Sequence, residues 1–319
     1  MTTYYGLYGQ KVQYLASDPT DVQTGQVWYN STSATLKVRS ATTVGTWASG
    51  GTLNTPRNAG AGAGIQTAAL LAAGAPPTPG FSSASETYDG TSWTSTSPVN
   101  FARRNAGSAN AAPQTAALIF GGAGSPPSTT NQTESWNGSS WTISPATLNT
   151  ATSANAGAGT QTAALTFGGG GGTQAESFNG TSWTTVSPLN TGRDAGAGCG
   201  IQTAALAIGA PPSAVEAWNG TSWTAVTSTP AAKDQRGAAG IQTAALAFGG
   251  YPATSDTILW NGTSWTSNPN GLAAARGGAA GAGTQTLAIA MGGGPGGPVA
   301  VTEEWTGPGA AVTQTVTVT

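Results

Sequence analysis

The dipeptide Gln-Thr, followed by small apolar residues, occurs at Gln66, Gln114, Gln161, Gln202, Gln242 and Gln285, at separations of 48, 47, 41, 40 and 43 residues. A Trp placed after an Asn-Gly or Asp-Gly pair keeps the same beat at Trp93, Trp141, Trp183, Trp223 and Trp265. This repetition constrains the fold more than any other feature. A unit of about forty residues cannot bury its own faces and must stack on its neighbours. In the fourth unit "AGAGCGI" reads as a small-residue strand, "TAALAIGA" as a strand buried on both faces, "VEAW" as a third strand and "TSWTAV" as a half-exposed fourth. Four strands per period predict an all-β chain of propeller blades. The pairs Asp89-Gly90, Asn137-Gly138, Asn179-Gly180, Asn219-Gly220 and Asn261-Gly262 are expected to close hairpins as type I′ turns.

Composition decides what such a chain can do. Charged residues make up 7 % of the 319, and the net charge is −2, so a nucleic-acid partner or an anionic membrane is not expected. The 48 Gly and 19 Pro alone would suit disorder, but 11 Trp at regular spacing argue for an ordered β-protein. With one cysteine, Cys199, and no histidine, internal disulfides, His/Cys zinc sites and imidazole catalysis are ruled out. "MTTYYGLYGQKVQ" lacks the basic and apolar regions of a signal peptide. "AGAGAGIQTAALLAAGAPP", the most apolar stretch, is interrupted by Gln66 and Thr67 and makes a poor membrane span. A soluble chain without membrane insertion is therefore expected.

Spacing also predicts how the ring closes. Each fourth-strand Trp precedes the next repeat Gln by 19 to 21 residues, and Trp47 precedes Gln66 by 19, with no complete unit before it. At the other end "TEEWTGPG" offers a third strand around Trp305 without a Trp five residues later. The expected arrangement is a six-bladed ring over residues 44–319. Its last blade takes its outer strand from around Trp47, with the alternating tail 309–319 competing for that place. Residues 1–43 stand apart, and "TGQVWYNSTSATLKVR" reads as a hairpin.

The pattern "R-x-A-G-A-G…Q-T-A-A-L-A-F-G-G…E-x-W-N-G-T-S-W-T" resembles a kelch repeat. Its Gly pair follows the second strand at Gly121-Gly122, Gly168-Gly169, Gly249-Gly250 and Gly292-Gly293, degraded to Ala73-Gly74 and Gly209-Ala210. The resemblance covers roughly residues 44–319 and implies a six-bladed propeller of four-stranded blades. Residues 1–43 are similar to N-terminal pieces of tail and fibre-associated proteins of marine tailed phages. That likeness implies a virion location and attachment to other virion proteins through residues 1–43.

Several groups are candidates for chemistry. The runs "GAGAG" and "GGGGGT" lack the Gly-Lys-Ser/Thr and the strand–helix context of a phosphate loop. Acidic residues recur at Glu86, Glu134, Glu176, Glu216 and Glu303, with Asp256 offset, and basic ones at Arg57, Arg104, Arg193, Lys233 and Arg276, with Thr152 in the third copy. A carboxylate ring could hold a metal or a sugar. A group that recurs with the repeat more readily serves it, so one acid–base clamp per blade is the favoured reading. No metal, cofactor or catalytic residue is expected, and Cys199 reads as buried.

One set of connections varies while the other is uniform. "APPTPGFSSAS", "AGSPPSTTNQ", "GGGTQA", "PPSAV", "YPATSD" and "GPGGPVAVT" differ in every unit, which marks their face as a recognition surface. Phe81, Arg103, Arg104, Asn105, Asp194 and Tyr251 are its candidate ligand contacts. The leading expectation is a non-enzymatic phage propeller that binds a host-surface glycan or protein. The alternatives are a bacterial cytoplasmic interaction scaffold and a sugar-acting propeller enzyme.

Overall fold

The computed structural model describes residues 12–20, 25–41, 44–124, 128–210, 213–309 and 311–316. The chain divides into two compact units, Thr46–Thr306 and Met1–Gly45 with Gly307–Thr319. Among the described residues no helix is long and apolar enough to cross a membrane.

The smaller unit is a four-stranded sheet. Its strands are β1 (Gln13–Leu15), β2 (Val27–Asn30), β3 (Thr35–Ala41) and, from the chain's end, β30 (Ala311–Thr315). Strands β2 and β3 form the hairpin expected around "NSTS", and the Asn30 side chain accepts the Thr32 and Ser33 amides in its turn. Trp28 is fully buried and donates its indole N–H to Asp18, which also accepts from Asn30 and Lys37. Those bonds hold the Asp18 carboxyl down at about 2. The expected boundary at 319 is corrected: β30 pairs with β3, so residues 307–319 belong with the N-terminal segment. An alternating Val/Thr strand pairs with whichever edge is free, and the edge in the larger unit is already occupied.

The larger unit is built of four-stranded antiparallel sheets. Blade 1 comprises β5 (Ala61–Ile65), β6 (Ala68–Ala72), β7 (Ser85–Tyr88) and β8 (Trp93–Ser95). Blade 2 comprises β10 (Gly107–Ser108), β11 (Leu118–Phe120), β13 (Thr133–Trp136) and β14 (Trp141–Ile143), beside a small ladder of β9 (Arg103–Arg104) and β12 (Ala123–Gly124). Blade 3 runs from β15 (Ala156–Thr160) through β16 (Ala163–Phe167) and β17 (Ala175–Phe178) to β18 (Trp183–Thr185). Blade 4 comprises β19 (Ala197–Ile201), β20 (Ala204–Ile208), β21 (Val215–Trp218) and β22 (Trp223–Val226). Blade 5 comprises β23 (Gly237–Ile241), β24 (Ala244–Phe248), β25 (Thr257–Trp260) and β26 (Trp265–Asn268). Blade 6 comprises β27 (Ala280–Gly283), β28 (Leu287–Met291) and β29 (Thr302–Thr306), and its fourth strand is β4 (Thr46–Ser49), where Trp47 lies opposite Trp305. First strands of successive blades touch in a cycle that returns from β27 to β5.

The first strands are small because they meet backbone to backbone. A Cβ on Gly157 would lie 2.3 Å from the Ser108 carbonyl oxygen of the preceding blade, so only glycine fits there. The second strands are buried on both faces. Each apolar cluster draws on two adjacent blades: Leu70 and Ala72 pack with Ile119 and Trp136, and Leu71 and Tyr88 pack with Ile289 and Met291. The core is therefore distributed over the seams between blades.

Polar staples cross the same seams. Each repeat Gln donates its amide to the preceding blade: Gln114 to the Ala69 and Tyr88 carbonyls, Gln161 to those of Ala117 and Trp136, Gln242 to those of Ala205 and Trp218, Gln285 to those of Ala245 and Trp260, and Gln202 to the Phe178 carbonyl and the Ser177 hydroxyl. Gln66 closes the series by donating to Ala288 and Trp305 of blade 6. In four blades the fourth-strand Trp adds a second bond, from its indole N–H to a hydroxyl that opens the third strand of the preceding blade, whereas Trp265 donates to the Thr227 carbonyl. Trp93 bonds Thr302, Trp141 bonds Ser85, Trp183 bonds Thr133 and Trp47 bonds Thr257.

The Asn-Gly turns differ from expectation. A type I′ turn needs positive φ at both central residues, but only the glycine has it, Gly220 at +93°. Trp218 pairs with Trp223 across a four-residue loop, and the Asn219 side chain accepts the Thr221 and Ser222 amides. The asparagine works as an Asx turn. Asp89 does the same in blade 1, and those bonds pull its carboxyl well below the usual carboxylate range.

Ala175 stands where a hydroxyl would serve Trp223, whose buried indole N–H has no partner among the described residues. Ala175→Ser should therefore stabilise the chain by about 1 kcal/mol, and Thr133→Val, which orphans Trp183, should cost about 1–3 kcal/mol. Urea unfolding of the two variants checks both signs.

Candidate functional site at the channel mouth

The connections entering each first strand place one residue per blade in the left-handed conformation. These are Ala59, Asn105, Ala154, Ala195, Gln235 and Gly278, with φ between +52° and +67°. Each donates its amide to the carbonyl of its counterpart in the preceding blade, at 2.8 to 2.9 Å, and Ala59 closes the circle on Gly278. The result is a ring of backbone hydrogen bonds around the mouth of a central channel. Five of its members are not glycine, and each pays about 1–2 kcal/mol for that conformation.

A cavity of about 100 Å3 lies at this mouth, lined by the ring residues and the six that follow them. Four of those followers are small: Gly60, Ala106, Gly196 and Ala279. The other two, Asn155 and Arg236, are polar and buried. A second cavity, of about 110 Å3, continues down the channel to Asn110. Asn110 donates to the Gly198 carbonyl of blade 4 at 2.6 Å, although it belongs to blade 2. It also lines a separate cavity on the far side, beside Ile65 and Ile241, so its side chain divides the channel.

Around the mouth, buried clamps fix the connections. Arg57 pairs with Glu86, Arg103 with Glu134, Arg193 with Glu216 and Arg276 with Glu303, at 2.6 to 2.9 Å. The Glu134 carboxylate also accepts the Asn100 and Phe101 amides, so it ties the incoming connection to the third strand. Burial lowers the Arg57 guanidinium to about 10, against the pull of Glu86. Two blades depart from this scheme. In blade 3 the place of Arg is taken by Thr152, and Gln174 donates to the Gly168 and Gly169 carbonyls instead. In blade 5 Ile258 replaces the carboxylate, Lys233 turns out to the Pro252 carbonyl, and Arg236 donates to Gly249.

Several sequence expectations are corrected here. The clamp arginine of blade 2 is Arg103, not Arg104; Arg103 is fully buried against Glu134 and cannot meet a ligand. Lys233 and Asp256 do not form a clamp, since Asp256 lies ahead of the third strand and Ile258 occupies the matching position. Of the other candidate contacts, Arg104 is exposed, with its guanidinium 5.5 Å from the centre of the Phe81 ring. Asn105 lines the mouth. Asp194 is exposed and accepts the Gly170 amide, and Tyr251 is half exposed and pairs with Asp234. The structure thus brings together Phe81 and Arg104 and leaves Asp194 and Tyr251 over other blades. Parts of two varied connections, residues 125–127 and 211–212, lie outside the described residues.

Asn155, Arg236 and Asn110 carry no signal in any single unit. Aligned by the ring position, however, Asn155 and Arg236 interrupt a column of Gly and Ala, and Asn110 sits in a first-to-second connection two residues longer than the others.

No family model matches the chain, and no curated protein matches it. Among solved structures, that of YjhT superposes with a TM-score of 0.67 at 15 % identity, covering 82 % of this chain and 99 % of that one. YjhT is a β-propeller. At that identity the likeness establishes the fold. The chain carries a β-propeller with a small accessory sheet.

Arg103→Met should cost about 3–5 kcal/mol, because it strands a buried carboxylate. Arg104→Ala should change stability by less than about 0.5 kcal/mol. Denaturant midpoints of the two variants separate the clamp from its neighbour.

Proposed function

We propose that the propeller is a non-enzymatic binding module whose varied face takes a host-surface glycan. The observation that carries this reading is the unequal distribution of chemistry between the two faces. Arg104, Asp194, Lys233, Asp234 and Asp256 all lie in the varied second-to-third and fourth-to-first connections. Asp89 is the one charge in the opposite turns. The varied face also carries Phe81 and Tyr251 and the amides of Asn58, Asn105 and Gln235. Amides and aromatic rings beside charges of both signs suit the hydroxyls and apolar faces of sugars. The setting is a phage virion, supported by the likeness of residues 1–43 to tail and fibre-associated proteins, with that segment as the attachment to other virion proteins.

Replacing Phe81, Arg104 and Tyr251 together with Ala should abolish binding on a glycan array and to host cells while the unfolding midpoint stays within about 0.5 kcal/mol of wild type. Changing Thr181 and Thr221, in the opposite turns, should leave binding intact. Binding lost from the opposite turns instead would overturn the assignment. Cell binding that depends on the three residues without any array signal would make the ligand a protein.

A further inference from the structure

We infer that the uniform face of the propeller is a homodimer interface, with two copies packed face to face around the lower mouth of the channel. Ile65, Ile201 and Ile241 end the first strands of blades 1, 4 and 5 and stand about half exposed. Leu287 is similarly exposed and opens the second strand of blade 6, where those three blades carry Ala68, Ala204 and Ala244. Blades 4, 5, 6 and 1 are consecutive around the ring, so the four side chains form one apolar arc near the axis. Blade 3 breaks the arc with Thr160 and Ala163 at the matching places.

The arc carries both knobs and holes. A cavity of about 190 Å3 lies beside Ile65, Ile241 and Thr284. Another of about 190 Å3 lies beside Ile201, Ala204 and Ile241. A half-turn about an axis in the plane of the face brings an isoleucine of each copy to a cavity of its partner, and every contact then occurs twice. Farther out, the exposed turns present the hydroxyl-bearing residues Thr181, Thr221 and Thr263. An apolar centre inside a polar border is the anatomy of a protein interface.

Charge and area decide the occupant. Among the described residues Asp89, in an outer turn of blade 1, is the one charge in the turns of this face. A charged partner would bury its ions here with nothing to pair them. A second copy brings the same uncharged surface, and its Asp89 stays at the rim. Strands about 4.8 Å apart make each blade roughly 15 Å deep and the ring roughly 40 Å across. The arc of blades then offers roughly 800 Å2, the share each partner contributes to an interface of standard size. Blade 6 has no outer turn; at Thr306 and Thr46 its outer strands run on into the links to the small sheet, away from the isoleucines near the axis. The varied faces of the pair point away from each other, so the inference does not depend on what they bind.

Sedimentation of the full chain over a range of concentrations is the test. The wild type should reach twice the 31.2 kDa chain mass, with a dissociation constant of about 10 μM or tighter. Salt at about 1 M should not weaken the pair, because no ion pair holds it. Ile241→Asp puts a carboxylate of each copy into the apolar centre and should raise the constant at least about a hundredfold. The milder Leu287→Ala should raise it about tenfold. Both variants should keep the wild-type urea midpoint at dilutions where the wild type is monomeric, since both side chains are half exposed. Tyr251→Asp, on the varied face, should leave the pair intact. A wild type that stays monomeric throughout overturns the inference and leaves the face to a different protein. A dimer that survives both Ile241→Asp and Leu287→Ala overturns it by placing the contact elsewhere, the small sheet included. Dissociation in salt, or an assembly of more than two chains, overturns it as well.

Discussion

A glutamine amide reaching back to two carbonyls of the preceding blade is the contact on which the propeller depends. Its two acceptors, Ala69 near the start of the second strand and Tyr88 at the end of the third, face each other across the neighbour's sheet, so a single side chain ties two strands of that sheet to the next blade. The contact is possible because first strands of Gly and Ala let the backbones approach closely. Small strands forgo apolar area. The loss is offset at the seams, where the Trp indoles bury large rings and bond hydroxyls of the preceding blade.

Much of this was legible in the sequence because it repeats. A period of about forty residues, Trp47 one repeat-offset before Gln66, and the orphan strand around Trp305 together describe a ring closed by an early strand. Finer features depend on backbone angles or on which of two neighbouring residues turns inward. "NG" suggests a type I′ turn to anyone reading pairs of residues. The Asx turn appears only once the asparagine side chain is seen accepting two amides. Arg103 and Arg104 are adjacent and identical in type, so only the pleat of β9 decides which faces Glu134. The tail strand was ambiguous because an alternating Val/Thr segment pairs with any open edge.

The varied face was legible in the sequence, but the channel mouth was not. Loop diversity marks the varied side, yet the mouth ring depends on left-handed residues that no sequence rule assigns to Ala59, Ala154 or Ala195. The ring and the clamps divide the work between them. Clamps fix where each connection starts, and the ring fixes where it reaches the axis, so varied loops can differ without moving the mouth. Blades 3 and 5, which lose the clamp scheme, bond the same stretch differently, Gln174 reaching the Gly168 and Gly169 carbonyls and Arg236 the Gly249 carbonyl.

A glutamine staple holds every seam of the ring, the joint between the last blade and the first included. Replacing each repeat Gln singly by Leu, and measuring the urea midpoint of all six variants, tests this closure. Each substitution leaves buried carbonyls without their donor and should cost about 1–3 kcal/mol, with Gln66→Leu losing as much as the other five. A Gln66→Leu protein that melts like wild type while the others lose stability would contradict closure between the last blade and the first.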